Sequence, residues 1–122
     1  MIDRLEISGV HSEIDDDLRK YVMKKIGRLD LYMSAYARKT AHAEVKLKEN
    51  KAKKKQERTC EVILHLPHDT IMVKETTINI YAAIDVVEAK LKNRLKKYKE
   101  KHNSEKFHRR LLARFKRRPS QA

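Results

Sequence analysis

Ile80, Ile84, Val87, Leu91, Leu95 and Tyr98 recur at spacings of four, three, four, four and three, with no Gly or Pro between them. That period winds all six onto one side of a helix, predicted over 79–102. A helix with one apolar stripe needs a partner surface to cover it. The sequence supplies one upstream. Ala41, Ala43, Val45 and Leu47 alternate with His42, Glu44, Lys46 and Lys48, and Cys60, Val62, Leu64 and Leu66 repeat the pattern with Glu61 and His65 outward. Alternation of this kind makes strands with one buried face. Between them Glu49–Glu57 is too polar for a core and reads as an exposed hairpin loop.

The remaining elements fit around this pair. Leu5-Glu6-Ile7-Ser8-Gly9 alternates and ends at a glycine, predicting a first strand near 2–9. Asp15, Asp16 and Asp17 place carboxylates at a helix start, where the dipole favours them. Ile14, Leu18, Val22, Ile26 and Leu29 then share one face, predicting a helix over about 15–31. Gly27 inside it costs up to about 1 kcal/mol or else permits a close approach. Pro67-His68-Asp69 signals a turn, and a fourth strand follows near 71–76. The expected fold class is α+β, in the order β-α-β-β-β-α. Its four-stranded, mainly antiparallel sheet carries both helices on one face, a layout like that of double-stranded-RNA-binding domains. Residues 1–102 form the expected domain. Asn103-Ser104 breaks the pattern, leaving 103–122 as a basic, flexible tail.

Charge narrows the partner. The chain of 122 residues holds 30 Lys plus Arg against 17 Asp plus Glu, a net of +13. Residues 79–122 alone hold 14 basic and 4 acidic side chains, a net of +10. Such asymmetry points to a polyanion. On the last helix Lys90, Arg94, Lys97 and Lys101 fall on one flank of the apolar seam, and Lys92, Lys96 and Lys99 on the other. Lys24, Lys25 and Arg28 gather on the first helix beside Tyr21. Side-by-side helices would join these sets into one basic platform, suited to phosphates because each cation displaces a condensed counterion. Lysine stems also shield the seam from water, and the two roles are compatible. The predicted strands hold no aromatic residue, and Gly9 and Gly27 cannot make a GxxG clamp. Recognition of backbone and shape in structured RNA fits better than base stacking.

The sequence resembles the bacterial ribosome hibernation-promoting factors, also called ribosome-associated inhibitors. The carriers are Ile7-Ser8-Gly9, Leu18-Arg19-Lys20-Tyr21-Val22 with 25–29, and above all Asn79-Ile80-Tyr81-Ala82-Ala83-Ile84-Asp85 leading into Lys90-Leu91 and Leu95-Lys96-Lys97. The likeness covers about residues 1–102. It implies binding to the small ribosomal subunit, in the channel where messenger RNA and transfer-RNA anticodon arms sit, contacting ribosomal RNA of the decoding region. Blocked initiation and preservation of idle ribosomes follow. The family's RNA-facing positions map to Lys25, Arg28, Lys90 and Lys97, with Arg94 and Lys101 beside them. Tyr81 and Ile84 match the motif at core positions. Asn79 replaces a usual acidic residue, but Asn also caps helices. Long members carry a further dimerising domain. Twenty residues after 102 do not hold one, so a short-type member, monomeric off the ribosome, is expected.

Other chemistry finds little support. The longest run of apolar-class residues is five, Ile80–Ile84, which excludes a transmembrane helix, and the opening residues make no signal peptide, so a cytoplasmic protein is expected. Cys60 is the only cysteine and lies in the buried phase of its strand, reading as an inert thiol. His65 and His68 lack an evident third ligand, so no metal site is expected, and no Gly-rich phosphate loop exists. No enzymatic activity, cofactor or small-molecule substrate is expected. Two rival readings remain: a general binder of duplex RNA, and a protein-interaction module modulating a sigma factor.

Overall fold

The computed structural model describes residues 1–50 and 56–117, with side chains as far as Lys101. Its strands are β1 (Arg4–Val10), β2 (His42–Asn50), β3 (Glu57–Leu66) and β4 (Asp69–Thr77), in spatial order β1-β2-β3-β4. The helices are α1 (Asp16–Lys25), α2 (Ala35–Thr40) and α3 (Ile80–Arg117), and a 3-10 segment covers Gly27–Tyr32. The protein is therefore α+β with a four-stranded mixed sheet. β2–β3 and β3–β4 pair antiparallel, while β1 pairs with β2 in parallel, Arg4 opposite His42 and Val10 opposite Lys48. A parallel pair needs a crossover, and the helical stretch 16–40 provides it.

The strand alternation is legible in the burial. Ala43, Val45 and Leu47 of β2, Cys60, Val62 and Leu64 of β3, and Ile71 and Val73 of β4 are buried, and they share one core with Leu18, Val22, Ile26 and Leu29. From α3 that core receives Ile80, Ala83, Ile84, Val87, Leu91 and Leu95. Tyr98 lies at its edge, half-buried, and its hydroxyl donates to the Pro67 carbonyl at 2.6 Å. The other side of the sheet carries His42, Glu44, His65, Met72 and their neighbours, none of them fully buried.

The helical elements depart from the expected order in three places. The first helix, expected over 15–31, stops at Lys25, and the chain tightens into the 3-10 segment at Gly27. There Ile2 N–H donates to the Gly27 carbonyl at 2.8 Å, and a Cβ on Gly27 would lie 3.1 Å from the Met1 side chain. The glycine leaves room for the Met1 side chain, a contact that a Cβ would tighten by a few tenths of an ångström. Second, α2 was not expected. Ser34 caps it, its hydroxyl accepting from Ala37 N–H at 3.2 Å, and only Ala37 of its six residues is buried, too little for a periodic signal. Third, α3 continues past Asn103-Ser104 to Arg117. Asn and Ser in a helix interior cost only fractions of a kcal/mol, and no Gly or Pro follows until Pro119. Of the expected loop, 51–55 lies outside the described residues, as does the end of the basic tail, 118–122.

Candidate nucleic-acid interface

The start of α3 is fixed by its own sequence. Thr77 Oγ1 accepts from Asn79 N–H at 3.1 Å, and Asn79 Oδ1 accepts from Tyr81 N–H at 2.9 Å, so Asn79 performs the cap. Ala83 and Ile84 are fully buried. Tyr81 is not a core residue as expected. It is 37% exposed, and its ring meets Tyr21 of α1 edge-on, centroids 4.9 Å apart. Asp85 completes this junction. It accepts from the Tyr21 hydroxyl and lies 3.8 Å from Lys25 Nζ, which in turn sits 5.6 Å from the Tyr21 ring centre. The bond to Asp85, with help from burial, pushes the Tyr21 phenol up to about 12.

The six candidate residues divide around α3. Lys25 is half-buried in the Asp85 junction, and Arg28, three residues on, is exposed on the 3-10 segment. Lys90 is exposed, and its Nζ pairs with Glu75 of β4 at 2.6 Å. Five residues separate Asp85 from Lys90, so they stand about 140° apart around the helix axis. Arg94 follows Lys90 toward β4, in a shallow groove with Met72, Val73 and Asn93, and Lys97 and Lys101 continue that row, both exposed. The flank nearer α1 is the other one. Lys92 Nζ lies 5.5 Å from the Tyr32 ring centre of the 3-10 segment and 3.5 Å from Glu88, whose charge raises the Lys92 ammonium above its ordinary pKa.

The anticipated single platform of Lys25 and Arg28 with Lys90, Arg94, Lys97 and Lys101 is thus split, because the helix crest separates the two groups. Lys92, on the other flank, is the lysine that faces the first helical layer. Spacing along the chain showed both flanks but not which one α1 would meet. Nor did it show that two of the cations are held by acids, Lys25 by Asp85 and Lys90 by Glu75. Among the described residues, Arg28, Arg94, Lys97 and Lys101 have no acidic partner.

The chemistry-bearing residues elsewhere are accounted for locally. Cys60 is fully buried, and desolvation pushes its thiol up to about 12, as an inert core position requires. Asp15 caps α1, accepting from Leu18 N–H at 2.7 Å. His65 does not pair with His68. It turns to Glu44 across the sheet, Nε2 to Oε2 3.1 Å, an interaction that holds the Glu44 carboxyl below its ordinary value. Among the described residues no helix is long and apolar enough to cross a membrane.

Comparison with known proteins places this architecture. The ribosome hibernation promotion factor of Staphylococcus aureus (strain COL) is 35% identical over 100 residues, covering 82% of this chain and 50% of that protein. Its counterpart from Lactococcus lactis subsp. cremoris (strain MG1363) is 34% identical over 100 residues, covering 82% and 51%. The chain thus spans about half the length of these curated relatives. Among solved structures, the N-terminal domain of Thermus thermophilus Protein Y superposes with a TM-score of 0.64 at 32% identity, covering 80% of this chain and 97% of that one. A ribosomal subunit interface protein from Coxiella burnetii shares the fold, with a TM-score of 0.65, 22% identity, and coverage of 80% and 98%. Residues 5–103 match the family described as Sigma 54 modulation protein / S30EA ribosomal protein, and the chain belongs to that family.

Proposed function

We propose that this protein is a ribosome-binding translation inhibitor that promotes hibernation of idle ribosomes under stress. It acts in the cytoplasm, without catalysis. It occupies the messenger- and transfer-RNA channel of the small subunit, pressing its helices against ribosomal RNA of the decoding region. Residues 1–102 serve as the binding domain, and the basic stretch 103–122 adds phosphate contacts. The observation that carries this reading is the exposed row Lys90, Arg94, Lys97 and Lys101, running from the family's Tyr81–Asp85 motif along a segment with a net charge of +10. Arg28 and Lys25 supply a second, separate contact from the first helical layer. A row of cations along a helix, rather than aromatic rings on a sheet, suits phosphate backbone and shape.

Co-sedimentation with purified small subunits tests the proposal. Saturable one-to-one pelleting, abolished by excess messenger RNA and initiator transfer RNA, is the expected result. Loose, non-saturating pelleting matched by plain duplex RNA would overturn it in favour of a general RNA binder. Failure to pellet with subunits, together with capture by a sigma factor, would leave a protein-interaction module.

A further inference from the structure

The sheet face turned away from the helices carries an arrangement outside the proposed ribosome-contacting residues. His42 and Glu44 stand two apart on β2 and so point the same way. Glu6 of β1 lies opposite Glu44 in the parallel pair, and His65 of β3 lies opposite His42 in the antiparallel pair. Four potential ligands from three adjacent strands therefore share one patch. His42 Nε2 is 3.8 Å from Glu6 Oε1, and His65 Nε2 is 3.1 Å from Glu44 Oε2. Ligand atoms of Glu6, His42 and Glu44 all lie within 4.8 Å of one another. The two imidazoles stack with centroids 5.3 Å apart.

Two features of this patch are unsatisfied as it stands. His42 Nε2 is shielded from solvent and has no hydrogen-bond partner, an uncommon condition for a buried ring nitrogen. Glu6 and Glu44, two like charges, face each other directly across strands, a pairing that destabilises a sheet. A cation between the strands relieves both.

We propose that Glu6, His42, Glu44 and His65 form a binding site for a divalent transition cation of the zinc class. Two imidazoles with two carboxylates suit zinc, which takes nitrogen and oxygen ligands at about 2.0–2.2 Å in a tetrahedron. Ligand atoms on such a tetrahedron are about 3.3–3.6 Å apart; two of its six pairs stand at 3.1 and 3.8 Å, and His65 joins the trio of Glu6, His42 and Glu44 through Glu44. Imidazole donors disfavour magnesium and calcium, which take oxygen. The metal pins β1, an edge strand, to β2 and β3. Cys60 is on the opposite side of the sheet, so no thiolate takes part. Spacing along the chain does not show this site, because the partners of His65 come from β2 and β1, more than twenty residues away.

The test is a Zn²⁺ titration of the tag-free, chelator-stripped full chain, followed by calorimetry and by histidine side-chain NMR. The expected result is one equivalent of saturable binding, with the ring signals of His42 and His65 shifting and those of His11 and His68 unmoved. Magnesium gives no such shift. The double variant His42→Gln/His65→Gln is expected to weaken binding by at least about tenfold. Should that variant fail to fold, Glu6→Gln at the exposed edge gives the same reading with a smaller loss. Absence of saturable binding, shifts confined to other histidines, or unchanged affinity in folded variants would each overturn the proposal.

Discussion

Replacing Arg94, Lys97 and Lys101 together with Gln separates a phosphate-binding row from a solvated helix flank. All three are exposed, and their removal breaks no ion pair among the described residues. Each phosphate contact contributes about 0.7–0.9 to the slope of log K against log salt. At 0.1 M monovalent salt, one log unit below the reference, each contact is therefore worth about 0.7–0.9 log units of affinity. Three contacts amount to about 2.1–2.7 log units, a loss of roughly 100- to 500-fold, with the slope shallower by about 2–3. Lys90 behaves differently, because it must leave Glu75, 2.6 Å away, to meet a phosphate. Lys90→Gln is then expected to cost less than a third of the triple effect on the logarithmic scale, and Glu75→Gln to tighten binding by about 1.4- to 5-fold, the range for an exposed pair. Fluorescence anisotropy of the labelled chain against purified small subunits, repeated from 0.05 to 0.2 M salt, reads both quantities. A triple variant that stays folded by circular dichroism but loses less than tenfold, with an unchanged slope, would refute the assignment of this flank.

Four further outcomes concern the fold. Leu91→Ala, at a fully buried position in the α3 seam, is expected to cost about 2–5 kcal/mol in urea unfolding. Gly9→Ala is expected to cost about 1–3 kcal/mol in the same assay, because its Cβ would stand 2.4 Å from the Ser12 carbonyl oxygen, a backbone atom that cannot swing aside. The Cys60 thiol, with its pKa pushed up to about 12, should resist thiol reagents at pH 8 and be labelled only as fast as the protein opens, so labelling should accelerate with urea. Tyr21, raised to about 12 chiefly by Asp85, binds its proton more tightly folded than unfolded. That contribution is complete below pH 10 and is lost as pH rises through 12, and Asp85→Asn should return the ultraviolet titration of this phenol toward 10.

What the sequence revealed followed burial. Strands β2 and β3 were legible because Ala43–Leu47 alternates throughout and Cys60–Leu66 does so except at Ile63, and α3 because its seam is uninterrupted over five turns. The end of the first helix was not legible. Ile26 and Leu29 continue the apolar spacing of α1, and both are buried, yet Leu29 enters the core from a 3-10 segment. A seam predicts which residues are inside, not which hydrogen-bond period delivers them. α2 escaped because one buried alanine has no period at all. For the candidate interface the rows of cations were visible, but their neighbours were not. Which flank of α3 meets α1 depends on the parallel pairing of β1 with β2, a tertiary choice with no signature in spacing.

That pairing also explains the Tyr81–Asp85 stretch. With β1 parallel to β2, the chain crosses over the sheet between them, and the crossover brings α1 alongside α3. Two helices on one sheet can slide along or rotate against each other unless something fixes them. Ala83 and Ile84 are fully buried on the sheet side, so the small alanine lets α3 lie close while the isoleucine fills the core. Tyr81 and Asp85, one turn apart, then meet Tyr21 and Lys25, also one turn apart, through a ring edge, a hydroxyl bond and an ion pair. Three different interactions at one crossing set both register and rotation. The rotation is what turns Lys90, Arg94, Lys97 and Lys101 toward β4 and Lys92 toward Tyr32. The motif thus fixes how α3 lies against α1, and in the proposed function the residues beyond it, rather than the motif itself, present the charge.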